Sequence, residues 1–150
     1  MAFDVATIQR KNAFALPAGS ASVTDIRTLG NYISLSPDGT QLAIVWWGGE
    51  RQPRIERWGV DGKPYGEFPV GSGLVQCVKW TQDGRILFAK SDDGAKWRIL
   101  RLSADGAPPA FTGLEVTNLT YFDLGPDGSR IAFDGTAYAL GPAHTPSATR

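Results

Sequence analysis

Apolar residues along this chain come in short bursts separated by polar, glycine-bearing steps. Before one such step Ile33 and Leu35 stand two residues apart, as one face of a strand requires. After it, Leu42-Ala43-Ile44 forms a near-continuous apolar run of the kind buried on both faces. The arrangement returns with Val78 and Trp80 before Leu87-Phe88-Ala89, and with Phe122 and Leu124 before Ile131-Ala132-Phe133. Further on, Arg54-Ile55-Glu56-Arg57-Trp58 aligns with Arg98-Ile99-Leu100-Arg101-Leu102, so Ile55 and Ile99 share a register. A weaker fourth strand is predicted in each unit, over 65–70 and 109–113.

The punctuation between these bursts is regular. Seven of the eleven aspartates are followed by glycine, at Asp38, Asp61, Asp83, Asp93, Asp105, Asp127 and Asp134. Asp-Gly is the favoured two-residue hairpin turn, because glycine takes positive φ freely and aspartate tolerates it. Ser36-Pro37-Asp38-Gly39 recurs as Thr81-Gln82-Asp83-Gly84 and Gly125-Pro126-Asp127-Gly128, with steps of 45 and 44 residues between the aspartates. The step from Asp61-Gly62 to Asp105-Gly106 is also 44 residues. Two independent markers with one period indicate a repeat, and four antiparallel strands per repeat of about 40–45 residues is a propeller blade.

The predicted architecture is therefore all-β: β-propeller blades of four-stranded antiparallel sheets, incomplete at about three blades unless a partner completes them. The expected boundaries are N-terminal strands or a partial blade over 1–30, blades over 31–73 and 74–113, a short blade over 114–140, and a disordered tail over 141–150. Within 1–30, strands are expected at 5–9, 13–16 and 23–28. A closed propeller needs about four to eight blades. About three would leave open strand edges and apolar wedge faces, which call for a second copy, another protein or further chain.

Ser-Pro-Asp-Gly followed by a polar residue and a short apolar strand resembles the TolB-type β-propeller repeat, a relative of the WD repeat. The resemblance covers roughly 31–134. It implies a propeller blade that presents a surface to other proteins, and in some members a gating domain fused to a serine peptidase. It also points to the bacterial periplasm, whereas a chain truly starting at Met1 with no signal segment would be cytoplasmic.

Charge removes one class of partner. Lys plus Arg equals Asp plus Glu at 15 each, and the balance holds within the first half, so no basic lobe awaits nucleic acid. The longest apolar run, 42–47, is too short to insert in a bilayer. One cysteine, Cys77, and one histidine, His144, supply no metal-ligand set, and no cofactor motif is present. Cys77 is expected to be a buried small hydrophobe.

Catalytic chemistry finds little support. A hydroxyl nucleophile needs a nearby base, yet His144 lies in the Pro/Ser-rich tail and no Gly-x-Ser-x-Gly elbow exists. Asp92-Asp93 is the one adjacent carboxylate pair and lies in a predicted hairpin turn; Gly71-Ser72-Gly73 reads as a connector between blades. The tryptophans are the better lead. Trp46 and Trp47 are consecutive in a strand, so they point to opposite faces; both are buried if the blade is sandwiched, and otherwise one meets a partner. Trp and Arg dominate binding hot spots. The expected partner-binding residues are Trp46, Trp47 and Trp58, with Arg51 at the rim, and the structural turns are Asp38-Gly39, Asp83-Gly84 and Asp127-Gly128. Arg54, Arg57, Arg98 and Arg101 recur in both full units, which marks structure.

The expectation is a non-catalytic interaction or assembly module, docking with a protein partner, a second copy or a larger complex. Two alternatives stand: a fragment of a larger TolB-type propeller, such as a peptidase gating domain, or a small-ligand or sugar-binding module.

Overall fold

A computed structural model describes residues 2–4, 9–12, 32–46, 52–102, 107–125, 128–133 and 136–140. At the N-terminus, β1 (Ala2–Asp4) pairs antiparallel with β2 (Gln9–Asn12). The strands expected at 13–16 and 23–28 lie outside the described residues, as does most of the one at 5–9.

Three meanders follow. The first sheet runs β3 (Ile33–Leu35), β4 (Gln41–Trp46), β5 (Arg54–Gly59) and β6 (Pro64–Pro69), in that spatial order. The second runs β7 (Leu74–Trp80), β8 (Ile86–Ser91), β9 (Lys96–Leu102) and β10 (Ala110–Thr117). The third has β11 (Asp123–Leu124), β12 (Arg130–Phe133) and β13 (Thr136–Ala139). Every neighbouring pair is antiparallel. The fold is all-β, with sheets of four, four and three strands that correspond to incomplete propeller blades. The outer strand β10 runs past the expected boundary at 113, because Glu115, Val116 and Thr117 continue the pairing onto Arg98, Trp97 and Lys96.

Two apolar clusters bind the sheets side by side. Ala43, Val45 and Ile55 of the first sheet pack with Val75, Val78, Ile86, Phe88 and Leu102 of the second. On the other side of the second sheet, Cys77, Leu87, Ala89, Trp97 and Ile99 pack with Phe122, Ile131 and Phe133. Strand β8 thus serves both clusters with alternate residues, which is why its run Ile86-Leu87-Phe88-Ala89 is apolar without a break. Phe88, Leu87 and Ile99 are fully buried, each contributing roughly 1.5–3 kcal/mol by leaving water.

The burial pattern corrects the internal alignment. In the first sheet Ser36 N–H donates to the carbonyl of Gln41, five residues on, and in the third Gly125 does the same to Arg130. In the second, Thr81 donates to Arg85, only four residues on. The middle loop is one residue shorter, so Leu42-Ala43-Ile44 corresponds to Ile86-Leu87-Phe88 and not to Leu87-Phe88-Ala89. A slip of one residue reverses every side chain. With it removed, Ile86 and Phe88 face the preceding sheet, as do Ile131 and Phe133.

The turns also differ from the two-residue hairpin. Gly39 N–H bonds back to the Ser36 carbonyl at 2.9 Å, which places Asp38 third and Gly39 fourth in a β-turn. Gly39 has φ +72° and Gly84 +79°, while neither Asp38 nor Asp83 is among the non-glycine residues at positive φ. Aspartate is needed for its side chain instead. Asp38 Oδ1 accepts from Ser36 Oγ at 2.6 Å, Thr40 N at 3.0 Å and Thr40 Oγ1 at 2.8 Å. Asp83 likewise accepts from the Thr81 hydroxyl. In the third turn Gly128 keeps φ +69°, Gly125 replaces the hydroxyl residue, and Asp127 lies outside the described residues.

Candidate functional site

The first two turns lie beside the seam between the first and second sheets, and a groove of about 420 Å³ opens between them. Its walls include Pro37 and Asp38 from one turn and Gln82 and Asp83 from the other, with Gln41, Arg57 and Trp80 also lining it. The seam is held together locally. Trp80 N–H donates to Ser34 Oγ at 3.0 Å, tying β7 to β3. Arg57, on β5, reaches over the Trp80 ring with its guanidinium carbon 5.5 Å from the centroid, and stands 5.9 Å from that of Phe68. Its Nε and Nη2 donate to Gln41 Oε1 at 3.1 and 2.7 Å. This recurrent arginine therefore makes a contact between sheets as well as within one.

The groove's lining carries two carboxylates, Asp38 and Asp83, and one guanidinium, Arg57. The Ser36 hydroxyl, then the Thr40 amide, hold the Asp38 carboxyl below its ordinary range, and the Thr81 hydroxyl does so for Asp83. Both are carboxylates at neutral pH. Arg85, outside the lining, pairs with one of them, its Nε standing 3.3 Å from Asp83 Oδ2. Trp80 has a buried indole N–H with no acceptor among the described residues. A second cleft, of about 250 Å³, is lined by Lys90, Lys96, Arg98, Asp92 and Asp93, with Glu115 opposite Arg98 at 3.4 Å.

The expected anchors fare differently. Trp46 is 4% exposed, so the expectation of a surface anchor there is corrected. It ends a strand whose last four residues are all buried, and the Arg54 guanidinium lies 5.4 Å from its ring centroid. Trp58 is half-buried and donates its indole N–H to Glu56 Oε2 at 2.8 Å, while Glu56 Oε1 takes Arg54 Nε at 2.8 Å. This is an internal polar network on one sheet face, and burial of Glu56 makes it costly to break. Trp47 and Arg51 lie outside the described residues. Gln41, Trp80 and Gln82, which the groove brings together, had one sequence signal: Gln82 replaces the proline of the first turn.

Cys77 is buried, as its strand position predicts, but its φ of +57° marks a bulge that the sequence pattern does not announce. Burial pushes its thiol up to about 11, and Sγ lies 3.5 Å from the Thr120 carbonyl. His144 lies outside the described residues, and among those described no three His, Cys, Asp or Glu side chains gather as a metal site would require.

At the far side of the molecule the third sheet has a different character. Thr136, Ala137, Tyr138 and Ala139 are all exposed, and no described strand pairs with the outer edge of β13. Ala137 and Ala139 stand opposite Ala132 and Arg130, which makes that face flat, with small side chains beside one long cation.

No family model matches the chain, and no curated protein matches it. Among solved structures it is similar to the crystal structure of TolB from Acinetobacter baumannii, with a TM-score of 0.58. The fold is TolB-like. Identity to that protein is 17%, and the match covers 77% of this chain and 31% of the TolB chain. The chain thus spans under a third of the length of the TolB structure, and the likeness carries the arrangement of sheets alone.

Proposed function

We propose that the chain is a non-catalytic propeller-type module that works by docking, and that the third sheet is its docking element. The observation that carries this reading is β13, exposed at every residue, with no described strand along its outer edge where the other sheets carry a fourth. Unpaired backbone groups in a row are a template for another strand. The flat alanine face behind that edge admits close approach of a second sheet. A second copy of the chain is the simplest partner, since two-fold assemblies are the commonest. The other reading, one part of a longer TolB-type propeller, is favoured by the 31% coverage of the TolB chain. There the next blade of the same polypeptide would take the docking position.

Replacing both Ala137 and Ala139 with Lys tests the first reading. Both residues are exposed, so the substitutions leave the monomer's core untouched. A self-associating protein melts at a temperature that rises with its concentration. The wild type is expected to show that rise, and the double variant to lose it. A melting temperature independent of concentration in the wild type would remove self-association.

A further inference from the structure

The open edge of β13 carries a pattern of backbone groups that fixes how a second copy meets it. We infer that two copies join β13 to β13, antiparallel, about a two-fold axis at Tyr138, and so extend the third sheet into one sheet of six strands. This inference rests on the docking reading and gives it a partner and a register.

The hydrogen bonds inside the third sheet decide which groups face outward. Leu140 N–H donates to the Ser129 carbonyl at 2.8 Å. Antiparallel pairs alternate between those that exchange backbone hydrogen bonds and those that do not. Counting back from Leu140, Tyr138 opposite Ile131 is a bonded pair, while Ala139 opposite Arg130 and Ala137 opposite Ala132 are not. The N–H and C=O of Ala137 and Ala139 therefore point away from β12, and no described strand takes them. Two such residues with one between them match themselves under a two-fold. Ala137 pairs with Ala139 of the second copy and Ala139 with its Ala137, for four backbone hydrogen bonds, and Tyr138 lies opposite its own counterpart. Sliding one strand by two residues in either direction leaves a single bonded pair among these residues, and sliding it by one opposes side chains of different faces.

The chemistry of the edge favours a copy of itself. Exposed edges are ordinarily guarded by charge, proline or bulges. Strand β6 begins and ends in Pro64 and Pro69 and carries Glu67. Strand β10 carries Glu115 and shifts register between Phe111 and Glu115, where Gly113 has φ +87°. Thr136-Ala137-Tyr138-Ala139 has no charge, no proline and no break in its pairing. Identical strands set like against like, so a charged edge repels its own copy and this one does not. Tyr138 adds a contact that self-pairing supplies. Its ring packs on Phe133 with centroids 4.9 Å apart, yet the residue remains 40% exposed. On the axis the two tyrosines meet at a non-bonded position, where opposite side chains stand closest and aromatic pairs are favoured.

Cysteine cross-linking of the full chain reads the register. The variants are Tyr138→Cys, Ala137→Cys and Ala139→Cys, and the wild type controls for Cys77, which is buried. Under copper–phenanthroline oxidation, Tyr138→Cys is expected to cross-link to itself. An equal mixture of Ala137→Cys and Ala139→Cys is expected to cross-link as well, since directly opposite Cα atoms lie about 4.5–5.5 Å apart, within disulfide reach. Either alanine variant alone is expected to give roughly fivefold less product, its two copies being diagonal at about 7–8 Å. The mixture involves exposed alanines only, so it keeps the test decisive if Tyr138→Cys loosens the contact with Phe133. A dimer by light scattering in which one alanine variant cross-links alone as well as the mixture does overturns the inference and leaves the docking reading standing. So does a dimer that yields none of these products. A chain that stays at 16.1 kDa at every concentration overturns the inference and self-association together.

Discussion

Gly73 and Gly84 both sit at positive φ, +104° and +79°, yet their surroundings are opposite. A Cβ at Gly84 would meet nothing within 4 Å, whereas one at Gly73 would lie 2.6 Å from the Ser91 carbonyl oxygen. Gly84→Ala should therefore cost only the backbone conformation, about 1 kcal/mol. Gly73→Ala adds a clash with backbone that cannot rotate away, and should cost about 3 kcal/mol or more. Urea midpoints of the two variants measure the difference, and equal midpoints would refute the close approach at Gly73. The need for glycine at Gly84 was legible in the Asp-Gly repeat; at Gly73, in a connector with no aspartate before it, the close approach was not. The reason for the repeat's aspartates was not legible either: the pattern suggests tolerance of positive φ, whereas the carboxylates act by accepting hydrogen bonds inside the turn. Trp46 shows the same limit, since a strand end beside a loop can be surface or core, and only packing around Arg54 decides.

At the scale of elements, register follows from loop length. Ser36 and Gly125 close loops onto the fifth residue beyond them, Thr81 onto the fourth, and that single residue sets which side of β8 faces which neighbour. An additional residue inserted after Gly84 would only match the middle loop to the other two, at a cost under about 1 kcal/mol. The same insertion between Leu87 and Phe88 would turn Phe88 and Ala89 away from their clusters, at about 4 kcal/mol or more. Chemical denaturation of the two insertions distinguishes them, and similar losses would mean that the loop is not free to lengthen. The four-strand repeat could be read from spacing because turn residues and apolar runs recur together. Its exact phase could not, because Leu42, Leu87 and Ile131 are equally apolar and an apolar run buried on both sides carries no alternation to fix its faces. The bulge at Cys77 escaped for a related reason: nothing in Val75-Gln76-Cys77-Val78 singles out a residue for positive φ.

At the scale of the whole molecule, each interface sets a forward face of one sheet against a backward face of the next. Ala43, Val45 and Ile55 meet Phe88 and Leu102, and Leu87, Ala89 and Ile99 meet Ile131 and Phe133. Repetition of one type of contact is what makes a propeller extendable, and it leaves the forward side of the third sheet to be covered by something beyond the described strands. The blade architecture was legible in the sequence, since the turn markers and the apolar runs share one period. Whether Trp46 is surface or core was not, because tryptophan content reports burial as readily as binding. The measurement that bears most directly on the docking account is the absolute mass of the purified chain by light scattering after gel filtration, over a range of concentrations. The account predicts a species near twice 16.1 kDa that the paired Ala137→Lys and Ala139→Lys substitutions return to a single chain. A compact, cooperatively melting monomer of 16.1 kDa at every concentration would contradict it.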